Sequence, residues 1–308
     1  MPDTRQHNPH ARNHSRYRAL ASSCAAVVAL TAAGAATSAN AHADPASCPT
    51  ATSTTFTAPT VPFLDWAENL GYDAQGNLWV SRLYRNEVQR YDTTGRITAT
   101  VPVTSPGAIR LGPDHLLYVV YGDNSLNMVP GARNGGVIRF DPAALTPETF
   151  IGGLTMPNGA AFDTAGNLYI ADTASGVIRV RPDATIDTDW TAQATLFGVN
   201  GLAIQGDSLY TTVYLTPRGR ILQIPITTPA QSHTTLELPL ADDLTSVPDG
   251  FLYITTTSGT LVRVDPTQPT TCTLLSTGPS AAVVPIPGTA DLMVTTGSGE
   301  ILRVHLRD

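Results

Sequence analysis

The stretch DAQGNLWV at residues 73–80 is repeated as DTAGNLYI at residues 163–170. In each copy an Asp, a Gly and an Asn precede a short apolar run, which is the residue chemistry of a β-hairpin turn. Weaker copies of the pattern are GPDHLLYV at 112–119, GDSLY at 206–210, PDGFLYI at 248–254 and GTADLMV at 288–294. The chain therefore contains six copies of one hairpin unit.

A further apolar run follows every copy. Its residues alternate between apolar and polar, as half-buried strands do. The six runs are EVQRY at 87–91, GVIRF at 136–140, GVIRV at 176–180, RILQI at 220–224, TLVRV at 260–264 and EILRV at 300–304. Six units of three or four strands, repeated about every 40 residues, predict an all-β fold, a six-bladed β-propeller.

The composition agrees with a folded, strand-rich domain. The 308 residues are 42% hydrophobic and 14% charged, with 25 Gly and 24 Pro. This is too apolar for a disordered chain and too rich in turn residues for a helical bundle. The formal net charge is −7, and all 18 basic residues are Arg. We therefore expect the chain to bind neither nucleic acid nor a membrane. We also expect a monomer.

The N-terminus has the order of a secretory signal. A basic region ends at Arg18, an apolar run covers residues 25–36, and the small-residue sequence Ala41-His42-Ala43 follows. This order predicts export, with cleavage after Ala43. The predicted organisation is a signal peptide at 1–43, a Ser/Thr/Pro-rich tail at 44–60 and a propeller domain at 61–308.

The cysteines fit an exported protein. Cys24 lies in the predicted signal peptide, which leaves Cys48 and Cys272. Two distant cysteines usually pair in an oxidising compartment, and two cysteines without nearby histidines make a weak zinc site. We predict a Cys48–Cys272 disulfide that joins the two ends of the ring.

One residue of each repeat is expected to point into the central channel at the start of the innermost strand. It is found nine or ten residues before the Leu-aromatic pair. The six positions are Glu68, Gly107, Asn158, Asn200, Asp243 and Ala282. Four oxygen donors, two of them carboxylates, suit Ca²⁺ and also Mg²⁺ or Mn²⁺. The alternative is that these polar residues cap turns, although Glu is not a favoured turn residue.

The sequence resembles the gluconolactonase/regucalcin-like family of six-bladed propellers over residues 61–308. The resemblance rests on ENLGYD at 68–73, PNG at 157–159, VNG at 199–201 and DD at 242–243. It implies a divalent metal held by Glu68, Asn200 and Asp243, with Asn158 contacting the substrate. It also implies hydrolysis of a small-molecule lactone or ester, in which the metal polarises the carbonyl and Asp243 is the base that activates water.

The chain departs from this family at two positions. Leu244 follows Asp243 where the family often has Gly, so Asp242 competes for the metal-binding role. Met156 stands where the sugar-lactone members have Arg, which disfavours a sugar-acid lactone.

Side chains at the ends of the second strands are expected to surround the same end of the channel and to contact the substrate. They are Arg82, Tyr121, Asp123, Asp172 and Tyr214.

Two other function classes remain open. The segment 156–183 is also similar to an NHL-type repeat, which is common in non-catalytic scaffolds. A strictosidine-synthase-like lyase or condensing enzyme would need a carboxylate late in the ring, where this chain has Ala282. The sequence contains no G-x-S-x-G, P-loop or dinucleotide motif, which disfavours the common serine hydrolases and nucleotide-dependent enzymes.

Overall fold

The computed structural model describes residues 48–129, 131–268 and 270–307. The predicted signal peptide lies outside these residues. In chain order the first strands are β1 (Thr50–Thr57), β2 (Ala67–Tyr72), β3 (Leu78–Arg82), β4 (Glu87–Tyr91), β5 (Ile97–Pro102), β6 (Pro106–Leu111), β7 (Leu117–Tyr121), β8 (Gly135–Phe140), β9 (Glu148–Leu154), β10 (Pro157–Phe162), β11 (Leu168–Asp172) and β12 (Gly176–Val180).

A short helix, α1 (Thr188–Gln193), follows β12. The remaining strands are β13 (Val199–Gln205), β14 (Ser208–Val213), β15 (Arg220–Pro225), β16 (His233–Leu236), β17 (Ala241–Ser246), β18 (Leu252–Thr256), β19 (Thr260–Asp265), β20 (Thr270–Ser276), β21 (Val283–Pro285), β22 (Leu292–Thr295) and β23 (Ile301–Arg307). None of the helices in the described part of the chain is long and apolar enough to cross a membrane.

These strands form the six-bladed β-propeller that the repeats predict. Blade 1 is β2–β5, blade 2 is β6–β9, blade 3 is β10–β12, blade 4 is β13–β16 and blade 5 is β17–β20. Blade 6 has the order β1-β23-β22-β21, so its outermost strand comes from the other end of the described chain. In blade 3 the short helix α1 takes the place of a fourth strand, and its Trp190 packs on Tyr169.

The closure of blade 6 differs from the sequence-based interpretation of residues 44–60 as a tail. Residues 50–57 form β1 and pair antiparallel with β23, with Ser53 opposite Val304. Their Thr-rich sequence suits an edge strand, and pairing satisfies backbone groups that β23 would otherwise leave open. Cys48, just before β1, forms a disulfide bond with Cys272 in β20. The predicted cysteine pair is therefore confirmed, and it joins blade 6 to blade 5.

The repeated Asp has one structural role in the first hairpin of several blades. Asp73 Oδ1 accepts hydrogen bonds from the backbone N–H groups of Gln75 (3.0 Å) and Asn77 (2.9 Å). Asp73 Oδ2 accepts one from Trp79 Nε1 at 2.9 Å. Gly76 has a φ of 80°, which favours glycine. Tyr–Asp bonds recur in the hairpins of blades 2, 3 and 5.

The core consists of six hydrophobic clusters, one at each interface between neighbouring blades. For example, Trp79 of blade 1 packs edge-on against Phe140 of blade 2. Each blade is therefore buried only by its neighbours, and the ring has to close to complete the core. All six inner strands start at the same end of the ring, which we call the mouth; the opposite end is the far end.

Candidate metal centre at the channel mouth

Strand pairing defines which residue of each blade lies at the mouth. In blade 1, Leu70 pairs with Val80, and Glu68 stands two residues before Leu70. In blade 5, Leu244 pairs with Ile254, so the residue equivalent to Glu68 is Asp242. The equivalent residues of blades 1 to 6 are Glu68, Gly107, Asn158, Asn200, Asp242 and Ala281.

This register corrects the sequence alignment by one residue in blades 5 and 6, where the alignment selected Asp243 and Ala282. The first hairpin differs in length between blades, so a fixed offset of nine or ten residues does not select equivalent positions. In blades 3 and 4 the residue that follows this position is Gly159 or Gly201, and each lies close against the next inner strand. The corresponding residue of blade 5 is Asp243, so this chain lacks the glycine there in either register.

Glu68 is joined to two other blades by buried hydrogen bonds. Asn158 Nδ2 of blade 3 donates to Glu68 Oε1 at 3.0 Å and to Asp123 Oδ2 of blade 2 at 2.9 Å. Trp66 Nε1 donates to Glu68 Oε2 at 2.5 Å. Glu68, Asp123 and Asn158 are all at least nine-tenths buried. The mouth therefore has a fixed carboxyl–amide–carboxyl arrangement contributed by three blades.

Asp242 and Asn200 form the other side of this arrangement. Both belong to inner strands, and the Asn200 side-chain amide lies against the Asp242 carboxyl and favours its charged form. Asn200 Oδ1 is buried and accepts no hydrogen bond from any described residue. An unpartnered buried amide oxygen is costly unless a ligand or ordered water occupies the position.

The carboxyl groups at the mouth resist ionisation. Burial raises the pKa of Glu68, and the negative charge of Asp243 raises it further against hydrogen bonds from Trp66 and Asn158. Burial and the neighbouring Glu68 raise the pKa of Asp123 well above its usual value. Burial also raises the pKa of Asp242 well above its usual value, with added repulsion from Glu68, Asp243 and Asp123. A cation or protons are needed to hold these groups together.

Asp243 has different partners. Asn69 Nδ2 donates to Asp243 Oδ2 at 2.8 Å, and Arg110 Nη2 lies 3.7 Å from the same oxygen. Arg110 Nη1 in turn donates to Asn69 Oδ1 at 2.9 Å. Burial raises the pKa of Asp243, and Arg110 opposes this shift. Asp243 thus belongs to an ionic network one residue further from the mouth than Asp242.

The residues at the ends of the second strands, which were predicted to contact the substrate, divide into two groups. Arg82 is buried, and it donates to the Asp65 and Gly299 carbonyl oxygens, to Gln89 and to Tyr91. Asp172 is fully buried and accepts from the backbone N–H groups of Thr155 and Ala174. Both side chains hold loops in place, so their assignment as substrate contacts is corrected.

Tyr121 packs within blade 2 and does not face the channel. A Cβ placed on Gly136 would come within 2.6 Å of its hydroxyl oxygen, so the ring lies against the next strand of its own sheet. Tyr214, in contrast, directly follows β14 at the mouth, and its hydroxyl oxygen lies 3.0 Å from Thr257 Oγ1 of blade 5. Asp123 is also at the mouth, as expected.

Several residues of the centre were not identified as site residues from the sequence. Tyr84 lies in the loop that follows β3 at the mouth, and its ring is 6.3 Å from the ring of Trp66, which donates to Glu68. Asn69 donates a hydrogen bond to Asp243, and Arg110 forms an ion pair with it. The available signal was a charged or polar residue inside an otherwise apolar inner strand, as in Ala108-Ile109-Arg110-Leu111.

The residues at the mouth fit a hard divalent cation. Carboxylate and amide oxygens are its preferred ligands, and Asn200 Oδ1 has a lone pair without a partner. No three His, Cys, Asp or Glu side chains in the described part of the chain are arranged as a metal-binding group by themselves. A ligand set here therefore has to combine carboxylates with the amide oxygens of Asn158 or Asn200.

The fold is shared with solved propellers of several activities. A gluconolactonase from Xanthomonas campestris is 16% identical, with a TM-score of 0.71 over 86% of this chain and 93% of that one. A calcium-binding regucalcin from Agrobacterium tumefaciens is 15% identical, with a TM-score of 0.63 over 83% of this chain and 94% of that one. Virginiamycin B lyase from Staphylococcus aureus is 11% identical, with a TM-score of 0.54 over 83% of this chain and 99% of that one.

No protein-family model and no curated protein sequence matches the chain. The structural likenesses confirm the resemblance to gluconolactonase/regucalcin-like propellers at the level of the fold. At these identities the activity of any one neighbour is not transferred by the fold alone.

Proposed function

We propose that this protein is a secreted, divalent-metal-dependent hydrolase of a lactone or ester. The observation that carries the proposal is the group of buried carboxyls at the mouth, Glu68, Asp123 and Asp242, next to an amide oxygen without a partner. Such a group is expensive to bury unless it serves a ligand. The gluconolactonase and regucalcin neighbours support the reaction class and the metal, and the N-terminal sequence supports secretion.

Glu68, Asn200 and Asp242 are the residues that would hold the metal, with Asp242 in place of the Asp243 that the family resemblance implies. Ca²⁺ is the preferred ion because the set is entirely oxygen and contains neutral amides. When bound, the ion supplies a Lewis acid that polarises a carbonyl oxygen and stabilises negative charge developing on it.

The protein's own groups then handle the protons. Hydrolysis of an ester or lactone needs one group that takes a proton from water and one that returns a proton to the departing oxygen. Asp242 and Asp123 are suited to these roles because both carboxyls belong to the buried group at the mouth, and Asp123 is hydrogen-bonded there to Asn158. Asn158 orients Glu68 and Asp123 by donating to both.

The substrate class follows from what surrounds the carboxyls. Arg82 is occupied by hydrogen bonds inside the protein, and Met156 stands where the sugar-lactone members have Arg, so neither position offers a cation to a sugar acid. Tyr84 and Tyr214 provide aromatic surface at the mouth, and the Tyr84 ring packs against Trp66, which donates to Glu68. These features favour a substrate that is less polar than a sugar-acid lactone.

Metal content of matched variants tests the proposal. The mature protein is equilibrated with calcium and desalted, and the bound ions are counted for wild type, Asp242→Asn and Asp243→Asn. We expect about one ion per chain in wild type and in Asp243→Asn, and none in Asp242→Asn. Circular dichroism of each variant verifies that the propeller is folded.

Turnover of a panel of aryl esters and lactones, with and without a chelator, then tests the chemistry. Activity that the chelator abolishes and calcium restores supports a hydrolase. Calcium binding without turnover of any ester or lactone would instead favour a non-catalytic scaffold. No bound ion in any variant would contradict the metal centre itself.

A further inference from the structure

The exposed apolar side chains of this propeller are concentrated at one end. Ten of the thirteen large hydrophobic residues that are exposed in the described part of the chain lie on loops at the mouth. These loops cover residues 58–66, 83–86, 122–134, 194–198, 214–219 and 237–240. We call their combined surface the mouth face. The three exceptions, Ile97, Leu111 and Ile186, lie away from the mouth.

The apolar side chains of the mouth face project into solvent. Phe63 is 72% exposed, Leu126 is 70% exposed and Val129 is 59% exposed, while Tyr84 and Phe197 are also more than half exposed. They come from four different loops at the same end of the ring as the buried carboxyl groups. Soluble monomers rarely expose so many large apolar residues on one face, and such patches mark interaction surfaces.

The charges are distributed in the opposite way. Exposed Asp residues of the described chain lie on the far-end turns and loops, for example Asp114, Asp207 and Asp249. Among the described residues, Glu237 is the one exposed acidic side chain on the mouth face, and it lies 3.4 Å from Arg218. The exposed side chains of the mouth face are therefore mainly apolar, together with Arg133 and the Arg218–Glu237 pair, and the carboxyls of the candidate centre are buried.

Two of the projecting residues also occupy unusual backbone positions. Phe63 has a φ of 67° and Leu240 a φ of 58°, both in the left-handed region that favours Gly and Asn. Both the local backbone and the solvent would favour a small polar residue at these positions. The presence of Phe and Leu there indicates that their apolar side chains serve the surface rather than the turn.

In place of the expectation from net charge that the protein binds no membrane, we propose that the mouth face docks on a lipid surface. Phe63, Leu126 and their apolar neighbours would be inserted at the boundary between headgroups and acyl chains. Projecting apolar residues with basic residues among them and acidic residues at the opposite end are the features of interfacial binding. Insertion of several such side chains supplies the binding energy without a spanning segment.

The chain segment before the described residues is a less suitable occupant of the mouth face. Cys48 is bonded to Cys272 near the start of β20, and β1 then runs from the far end to the mouth. A segment that precedes Cys48 therefore joins the propeller at the far end. A second copy of the chain is the remaining alternative, and the test below distinguishes it.

Docking on lipid would bring the carboxyl centre to the interface, where esters and lactones dissolved in the lipid could enter the mouth. This consequence rests on the proposed function, whereas the docking itself does not. It agrees with the aromatic side chains of Tyr84 and Phe197, which are exposed on the mouth face.

Vesicle flotation tests the proposal with two matched double variants. Wild type, Phe63→Asn/Leu126→Ser and Ile97→Ser/Leu111→Ser are incubated with phosphatidylcholine vesicles, with or without phosphatidylglycerol. Wild type and the Ile97→Ser/Leu111→Ser control should float with the vesicles. The mouth-face variant should bind at least about tenfold more weakly, because two inserted apolar side chains are lost. Its Tm should not fall, since Asn is well suited to the φ of residue 63.

Three outcomes would overturn the proposal. Wild type could fail to bind either kind of vesicle, or the far-end control could lose binding as strongly as the mouth-face variant. Sedimentation could instead show a dimer that Phe63→Asn/Leu126→Ser dissociates, which together with absent vesicle binding would assign the mouth face to self-association. Calcium content of the same samples is independent of these outcomes, so failure of the metal centre would be recognised separately.

Discussion

Arg110 is the buried cation beneath the candidate metal centre, and its replacement by Met should destabilise the folded protein strongly. Its guanidinium donates to the Ala160 carbonyl oxygen at 2.7 Å and to Asn69 Oδ1 at 2.9 Å, and it lies 3.7 Å from Asp243 Oδ2. Arg110→Met keeps the apolar stem of the side chain but leaves Asp243 with an uncompensated buried charge.

The magnitude follows from the loss of one partner of a buried ion pair. Such losses destabilise by about 3–5 kcal/mol, which for a domain of this size lowers the Tm by roughly 10 °C. Thermal and urea unfolding at pH 7 measure the change. The double variant Arg110→Met/Asp243→Asn removes both charges and should recover a large part of the lost stability.

The destabilisation should depend on pH in a defined direction. Burial already raises the pKa of Asp243 above its usual value, and Arg110 opposes that shift, so the variant raises the folded-state pKa further. An acid with a raised folded-state pKa contributes stability below its unfolded pKa, and this contribution is lost as the pH rises through the folded-state pKa. Arg110→Met should therefore be closer to wild type at pH 4–5 than at pH 7.

A pH-independent loss of stability would refute this reasoning, because cavity formation alone carries no proton linkage. A double variant no more stable than Arg110→Met would refute it as well. Either result would mean that Asp243 does not depend on the guanidinium for its charge.

Three further expectations follow from the structure. Cys48→Ser should lower stability by about 3–5 kcal/mol, because the disulfide closes a loop of 224 residues; reduction of the wild type should produce the same Tm, and an unchanged Tm would contradict it. Asp73→Ala should lose roughly 2 kcal/mol in urea unfolding because it leaves the buried Trp79 Nε1 without an acceptor, whereas Asp114→Ala, at an exposed position, should lose less. Chelation should lower the Tm of calcium-loaded wild type but leave Asp242→Asn unchanged, and an equal shift in both would argue against this site.

The repeated hairpins made the fold predictable from the sequence. Asp73 and Asp163 use the same hydrogen bonds in their turns, and each turn is followed by alternating apolar residues. Local chemistry of this kind does not depend on distant parts of the chain, so it can be recognised directly. The cysteine pair was predictable for a similar reason, since few cysteines leave few pairings.

The candidate centre was only partly predictable. Glu68, Asn158 and Asn200 were identified because they recur at one repeat position, and the structure places Glu68 and Asn158 in direct contact. The fifth-blade residue was assigned to Asp243 instead of Asp242 because the first hairpin varies in length. The sequence also predicted Arg82 and Asp172 to contact the substrate. Both side chains instead form hydrogen bonds with backbone groups inside the protein.

The sequence by itself determined the strands, their turns and their sixfold repetition, because these depend on neighbours within a few residues. Tertiary structure decided which polar groups meet in the channel. Glu68, Asp123 and Asp242 come from three blades, and only ring closure brings their charges together and raises their pKa values. It also decided that β1 completes blade 6 and that the exposed apolar residues share one end. Contacts between residues far apart in the chain produce all three features, and no local pattern encodes them.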